Sequence, residues 1–162
     1  MIVRGFLATF PLWMLLLALA VAWVRIARGA RVPARVLATE VLFWGVGITG
    51  LWGFVVHVFF PRDASGTIGW NANGFETEVG MANLALAVLG MTSRSAIRPY
   101  RLAAALGAAC FLWGSAASHI VDFVAHGNVA PANAGAIISA DILTPLIALA
   151  AVLASPPPRI IT

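Results

Sequence analysis

Charge is scarce in this chain, and none of its positive charge comes from lysine. Only 10% of the 162 residues are Asp, Glu, Lys or Arg, where a soluble domain carries about a quarter. All ten basic side chains are arginines. They fall in a few loops, without the basic stripe and interleaved aromatics of a nucleic-acid surface, so no nucleic-acid partner is expected. One cysteine, Cys110, excludes an intrachain disulfide and reads as a small packing residue of an apolar helix. There is no HExxH and no CxxC. The Glu-x-x-His pair of di-iron bundles is also missing, since His119-x-x-Asp122 reverses its order. What remains is 61% hydrophobic. This composition predicts an all-α integral membrane bundle in a single domain, with the lipid bilayer as its principal partner.

Five apolar runs carry that bundle: about 6–24, 37–60, 75–91, 100–125 and 136–154. Arg4 precedes the first, but the run is long and ends in Trp23-Val24-Arg25, not in a small-residue cleavage site; it reads as a retained, peripheral first helix, bent near Pro11. Gly45, Gly47, Gly50 and Gly53 keep the second helix small enough for close backbone approach. Glu40, near its start, is expected to pair with the Arg25–Arg35 cluster. Residues 61–74 are rich in turn formers and read as an exposed loop, with Trp70 at headgroup level. Pro156, Pro157 and Pro158 end the last helix. Arg25, Arg28, Arg31, Arg35, Arg94, Arg98, Arg101 and Arg159 fall on one side, against Arg4 and Arg62 on the other. The positive-inside rule then puts the N-terminus outside and the C-terminus in the cytoplasm.

That topology collects polar groups at one depth, in the outer half of the bilayer. His57 ends the second helix, Glu76, Glu78 and Asn83 open the third, and His119, Asp122 and His126 end the fourth. Asp141 lies roughly 8–10 Å into the fifth by helical rise. Ser115, His119, Asp122 and His126 fall at i, i+4, i+7 and i+11, one helical face. Glu76, Gly80, Asn83, Ala87 and Gly90 form another such face, with Glu78 turned away from Glu76 by about 200°. Polar groups in a membrane segment must be paired, wetted or turned inward. His119 is therefore expected inside the bundle, bonded to Asp122 or Asp141, or else to Asn83 or Glu78. Pro145 removes the amide that would bond the carbonyl of Asp141, freeing backbone acceptors for a ligand, a water or another helix.

Several readings fit this cluster. Inter-helix hydrogen bonding alone is one. A small-ligand or partner site lined by His57, Glu78, Asn83, His119, Asp122, Asn128, Asn133 and Asp141 is a second. A metal held by His119, Asp141 and Glu78, or a haem held by His57 and His119, falls under the same heading, with the cofactor left open. An enzyme using His119 as general acid/base beside these carboxylates is a third. A proton-coupled transporter is the fourth, although the cytoplasmic half offers only Glu40 and a few Ser and Thr as polar steps.

Taken together, FETEVGMANLALAVLG (75–90), SHIVDFVAHGNVAPANAG (118–135) and ADILTPL (140–146) resemble a family of small multi-pass membrane proteins of bacteria and archaea with no established activity. The resemblance covers roughly residues 40–150. It implies a site at the bacterial inner membrane built on Glu78, Asn83, His119, Gly127, Asn128, Pro131, Asn133, Gly135 and Asp141. Ala132 stands where the pattern has glycine. The resemblance favours Glu78 over Glu76, and a homo-oligomer or membrane-complex partner fits such a chain.

Overall fold

The computed structural model describes residues 2–156, apart from the side chains of residues 2–4 and 7; Arg4, Pro157, Pro158 and Arg159 thus lie outside the described residues. Six helices follow one another, with no strand among the described residues. They are α1 (Ile2–Ala27), α2 (Pro33–Phe59), α3 (Pro61–Ile68), α4 (Phe75–Thr92), α5 (Arg98–His126) and α6 (Ala136–Ala154). α1 from Ala8 onward, α2, α5 and α6 are each long and apolar enough to cross a membrane. α4 has 18 residues, but Glu76, Glu78 and Asn83 dilute its apolar character. α2 opens on Pro33, whose fixed φ suits a first helical position. Its middle, Val41–Ile48, widens into π-helical turns before regular α-helix resumes at Thr49.

Two helix pairs make the frame: α4 against the second half of α2, and α6 against α5. Small residues let the first pair close. A Cβ on Gly47 would lie 2.8 Å from the Met91 amide nitrogen, and one on Gly50 would lie 2.7 Å from the Asn83 carbonyl oxygen. Both are overlaps with backbone, so only glycine permits this approach. Gly80, Asn83, Ala87 and Gly90 are all buried, as their spacing on one face predicts. Alanines do the same work in the second pair, with Ala104, Ala105 and Ala108 on α5 and Ala148 on α6 fully buried.

Two expectations need correction. α1 is not peripheral: it packs on α2 and α6, and Ala8, Leu15, Ala18 and Ala22 are buried. These recur at one helical face. Because α1 is apolar all round, no amphipathic pattern distinguishes that face from the outward side, where Trp13, Leu16 and Trp23 stay exposed. Residues 61–74 are not an exposed loop throughout. α3 occupies Pro61–Ile68 and buries Ala64, Ser65 and Thr67. Its Asp, Ser, Gly and Thr content hides helical periodicity, and tertiary hydrogen bonds hold it.

At the end carrying Arg25, Arg31, Arg35, Arg94, Arg98 and Arg101, the start of α2 and its widened turns meet α1 and α6, and the bundle converges. Toward the other end, the last turns of α2 make no substantial contact with α5 or α6. The helix pairs part there, and α3 lies over the gap.

Candidate functional site

α3 is tied down on both sides. Toward the α5–α6 loop, Trp70 Nε1 donates to Asp122 Oδ2 at 2.8 Å, and Asn128 Nδ2 donates both to that oxygen at 2.6 Å and to the Ile68 carbonyl at 2.9 Å. His126 Nδ1 meets the second Asp122 oxygen at 2.8 Å, and the Ala132 amide donates to the Thr67 carbonyl at 3.2 Å. Gly69 ends α3 with φ of 87°, in the left-handed region that glycine tolerates, and the Asn128 amide lies where a Cβ would point. Toward α4, the Ser65 hydroxyl donates to Glu76 Oε1, while His57 Nδ1 lies 2.6 Å from Glu76 Oε2. The segment is a cap latched to both helix pairs.

Beneath it lies a cavity of about 660 Å³. Its polar lining includes His57, Glu76, Asn83, Ser115, His119 and Asp141, and Trp52, Phe75, Phe111 and Trp70 add aromatic wall. Asp141 is 4% exposed and faces Ser115 of α5. Among the described residues, no side-chain nitrogen or oxygen is both sealed and unpartnered. The remaining acceptors of the Asp141 carboxyl therefore open into the cavity.

His119 is buried, as its depth predicts, but its partner is an amide and not a carboxylate. Its Nδ1 lies 2.9 Å from Asn133 Oδ1, and its ring stacks on Trp70 at 5.6 Å between centroids. The Asn133 amide group donates to the carbonyls of Asn128 at 2.9 Å and His119 at 3.4 Å. That turns its oxygen toward the imidazole, so Nδ1 carries the proton and Nε2 keeps a lone pair. Asp122 is engaged elsewhere, with Trp70 and Asn128 on one oxygen and His126 on the other. Asn133 reaches His119 only because the α5–α6 loop folds back beneath α5, with the amides of Asn133 and Ala134 both on the Ala130 carbonyl.

Of the residues singled out in the sequence, His57, Asn83, His119 and Asp141 line the cavity. Asn83 also donates to the Val79 carbonyl of its own helix at 2.9 Å. Asp122, Asn128 and Asn133 hold the cap instead. Glu78 is exposed; Glu76, on the buried face of α4, is the glutamate turned inward. The small-residue stripe pointed to Glu76, whereas the resemblance pointed to Glu78, and the helical phase of the stripe prevails. No group of three His, Cys, Asp or Glu side chains that could hold a metal occurs among the described residues, so Glu78, His119 and Asp141 do not form such a set. Ser65 and Thr67 carried no signal in the sequence. Trp70 was expected at the headgroup level, and it is the residue that joins Asp122 to His119.

Glu40 forms a separate centre at the arginine end. It is wholly buried, paired with Arg25 and with Arg94 at 3.0 Å, and accepts from Trp44 Nε1 at 3.1 Å. Arg94 also lies over the Phe43 ring at 4.2 Å. Pro145 was expected to free the carbonyl of Asp141; the bond seen beside it is to the next residue, where Trp113 Nε1 of α5 donates to the Ile142 carbonyl at 3.2 Å.

The chain belongs to a family of unknown function, DUF6790, which it matches over residues 8–157. The match takes in most of α1, where the motif resemblance began only near residue 40. Neither a curated protein nor a solved structure shows significant similarity to the chain.

Proposed function

Family membership leaves the activity open, and from the site we propose a multi-pass membrane protein that binds a small ligand in the capped cavity. α1, α2, α4, α5 and α6 cross the bilayer as one transmembrane domain, with the N-terminus outside and the C-terminus cytoplasmic. The arginine bias supports this orientation. The cavity then lies in the outer half of a bacterial or archaeal cell membrane, beneath an extracytoplasmic cap.

The observation that carries the reading is Asp141: a buried carboxyl with open acceptors in a cavity whose wall is otherwise largely aromatic and aliphatic. Such a cavity suits a small molecule with an apolar body and one cationic or hydrogen-bond-donating group. The Nε2 of His119 supplies a second acceptor. Native mass spectrometry of protein extracted in mild detergent tests this. A small-molecule adduct on the wild type that disappears in Asp141→Asn is the expected result, and two adduct-free proteins would remove the proposal. Orientation has its own test at the exposed Ala72, between the cap and α4. With Ala72→Cys on a Cys110→Ala background, labelling by an impermeant maleimide only from the cytoplasmic face contradicts the orientation.

Acid–base catalysis is a second reading, and one observation favours it. Glu76 holds His57 Nδ1 at 2.6 Å, the geometry that orients an imidazole and leaves Nε2 to accept a proton. His57 takes the role that the sequence suggested for His119, whose amide partner cannot stabilise an imidazolium as a carboxylate does. Turnover of an identified ligand, lost in His57→Gln with binding retained, separates this reading from simple binding. A transporter gains no such support, because Glu40, the one acid at the arginine end, is already locked between two guanidinium groups.

A further inference from the structure

A second cavity, of about 710 Å³, opens at the opposite end of the molecule, between the α1–α2 turn, the start of α5 and the end of α6. Arg31, Arg35, Arg98 and Arg101 line it, and no carboxylate does among the described residues. A smaller adjoining cavity of about 330 Å³ shares Arg31, Arg35 and Arg101. Glu40, the one acid near this end, is taken by Arg25 and Arg94.

Arg101 is 9% exposed. Its Nε donates to the Ser93 carbonyl at 2.9 Å and one terminal nitrogen donates to the Arg94 carbonyl at 3.1 Å. The other terminal nitrogen has no hydrogen bond within the described chain, and since none is sealed without a partner, it opens into the cavity. Arg35 lines the same two cavities as Arg101. Arg98 donates through Nε and one terminal nitrogen to the Val152 and Leu153 carbonyls at the end of α6, at 3.0 and 3.2 Å, which ties it to that helix end. Arg31, Arg35 and Arg101 face the same space. α2 and α5 both begin at its edge, adding the partial positive charge of two helix N-termini.

Positive-inside topology accounts for arginines at this end, but not for a buried guanidinium aimed with a second one into a concave space. From this convergence we propose that the cavity binds the phosphate group of a phosphate ester, held by Arg31, Arg35 and Arg101. Guanidinium matches phosphate oxygens through paired, charge-assisted hydrogen bonds. Apart from Ser155, the rest of the lining, Val32, Ala96, Ile97, Val152 and Pro156, is apolar, which suits an ester carrying hydrocarbon. The phosphate belongs to an anionic lipid headgroup or to a soluble phosphate ester. This inference stands apart from the ligand cavity beneath α3.

Melting of the full-length protein in a zwitterionic detergent tests the site, with three additives at matched ionic strength: inorganic phosphate, dihexanoyl phosphatidylglycerol below its micellar concentration, and chloride. The expected result is stabilisation by phosphatidylglycerol or phosphate beyond chloride. Arg35→Gln is expected to weaken the response about tenfold in half-saturating concentration, the scale of one charge-assisted hydrogen bond. Arg62→Gln, with the same charge change at the opposite end, is expected to keep it. Arg35 and Arg62 are both exposed, so neither replacement disturbs packing. Response to the lipid alone identifies a headgroup site, and equal response to phosphate identifies a soluble ester. No response beyond chloride overturns the proposal, as does an Arg35→Gln protein that responds like Arg62→Gln.

Discussion

Glu40 and Glu76 are both buried glutamates, near opposite ends of the bundle, and they are compensated in different ways. Glu40 has no exposure and takes two guanidinium groups and an indole N–H. Glu76, 8% exposed, takes one hydroxyl and one imidazole and borders open space. Charge at the first is answered by charge within a converged set of helices. At the second, the polar groups are joined mostly to neutral donors, and the helices part. The first arrangement serves to hold the chain together. The second keeps polar groups along a cavity beneath the cap, the arrangement on which the proposed ligand site rests.

Four sets of substitutions sharpen or break that contrast, from the largest effect down. Replacing Arg25 and Arg94 together by Ala strands Glu40 in the interior and should cost about 3–5 kcal/mol in detergent unfolding. Adding Glu40→Gln should recover part of the loss; no recovery would mean that the pairing is incidental. Gly90→Ala puts a Cβ against the Gly47 and Leu42 backbones in the converged half and should cost about 3 kcal/mol. Gly66→Ala in the cap meets nothing within 4 Å and should be neutral or slightly stabilising, so equal melting shifts would erase the distinction between tight and loose ends.

His119→Ala should cost about 2 kcal/mol, because it leaves Asn133 Oδ1 without its donor and removes the ring beneath Trp70. His126→Ala, at a side chain 72% exposed, should stay within about 0.5 kcal/mol. Comparable losses would show that the cap does not depend on what lies below it. Finally, Glu76→Gln should cost about 1 kcal/mol through its bonds to Ser65 and His57, whereas Glu78→Gln on the exposed face should leave melting unchanged. The reverse order would return the inward role to Glu78.

Much of the scaffold was legible before any coordinates. Long apolar runs with little charge identify helices, because an uncompensated polar backbone has no place in an apolar phase. Glycines and alanines at helical spacing marked close-packing faces on α2 and α4, and the same phase argument favoured Glu76, although the motif resemblance tipped the choice to Glu78, which is exposed. The depth of His119 and Asp141 along their helices was enough to expect both to be buried. Three features escaped. α3 is short and polar, so no periodicity announces it. The inward face of α1 cannot be told from its lipid-facing side by hydrophobicity. The Asn133 amide is fourteen residues from His119, and only a folded loop makes them neighbours.

The division between the two levels follows from the range of the forces involved. Helix formation, helix phase and the side of the chain on which charge collects depend on local spacing and on transfer between water and an apolar medium, so the sequence alone determined them. The addition of Arg94 to the expected pairing of Glu40 with Arg25, the latch from Trp70 to Asp122 and the placing of Asp141 opposite Ser115 join groups from different parts of the fold. A hydrogen bond or ion pair decays over a few ångströms, so these partnerships were decided only when packing brought the helices together at one end and parted them at the other.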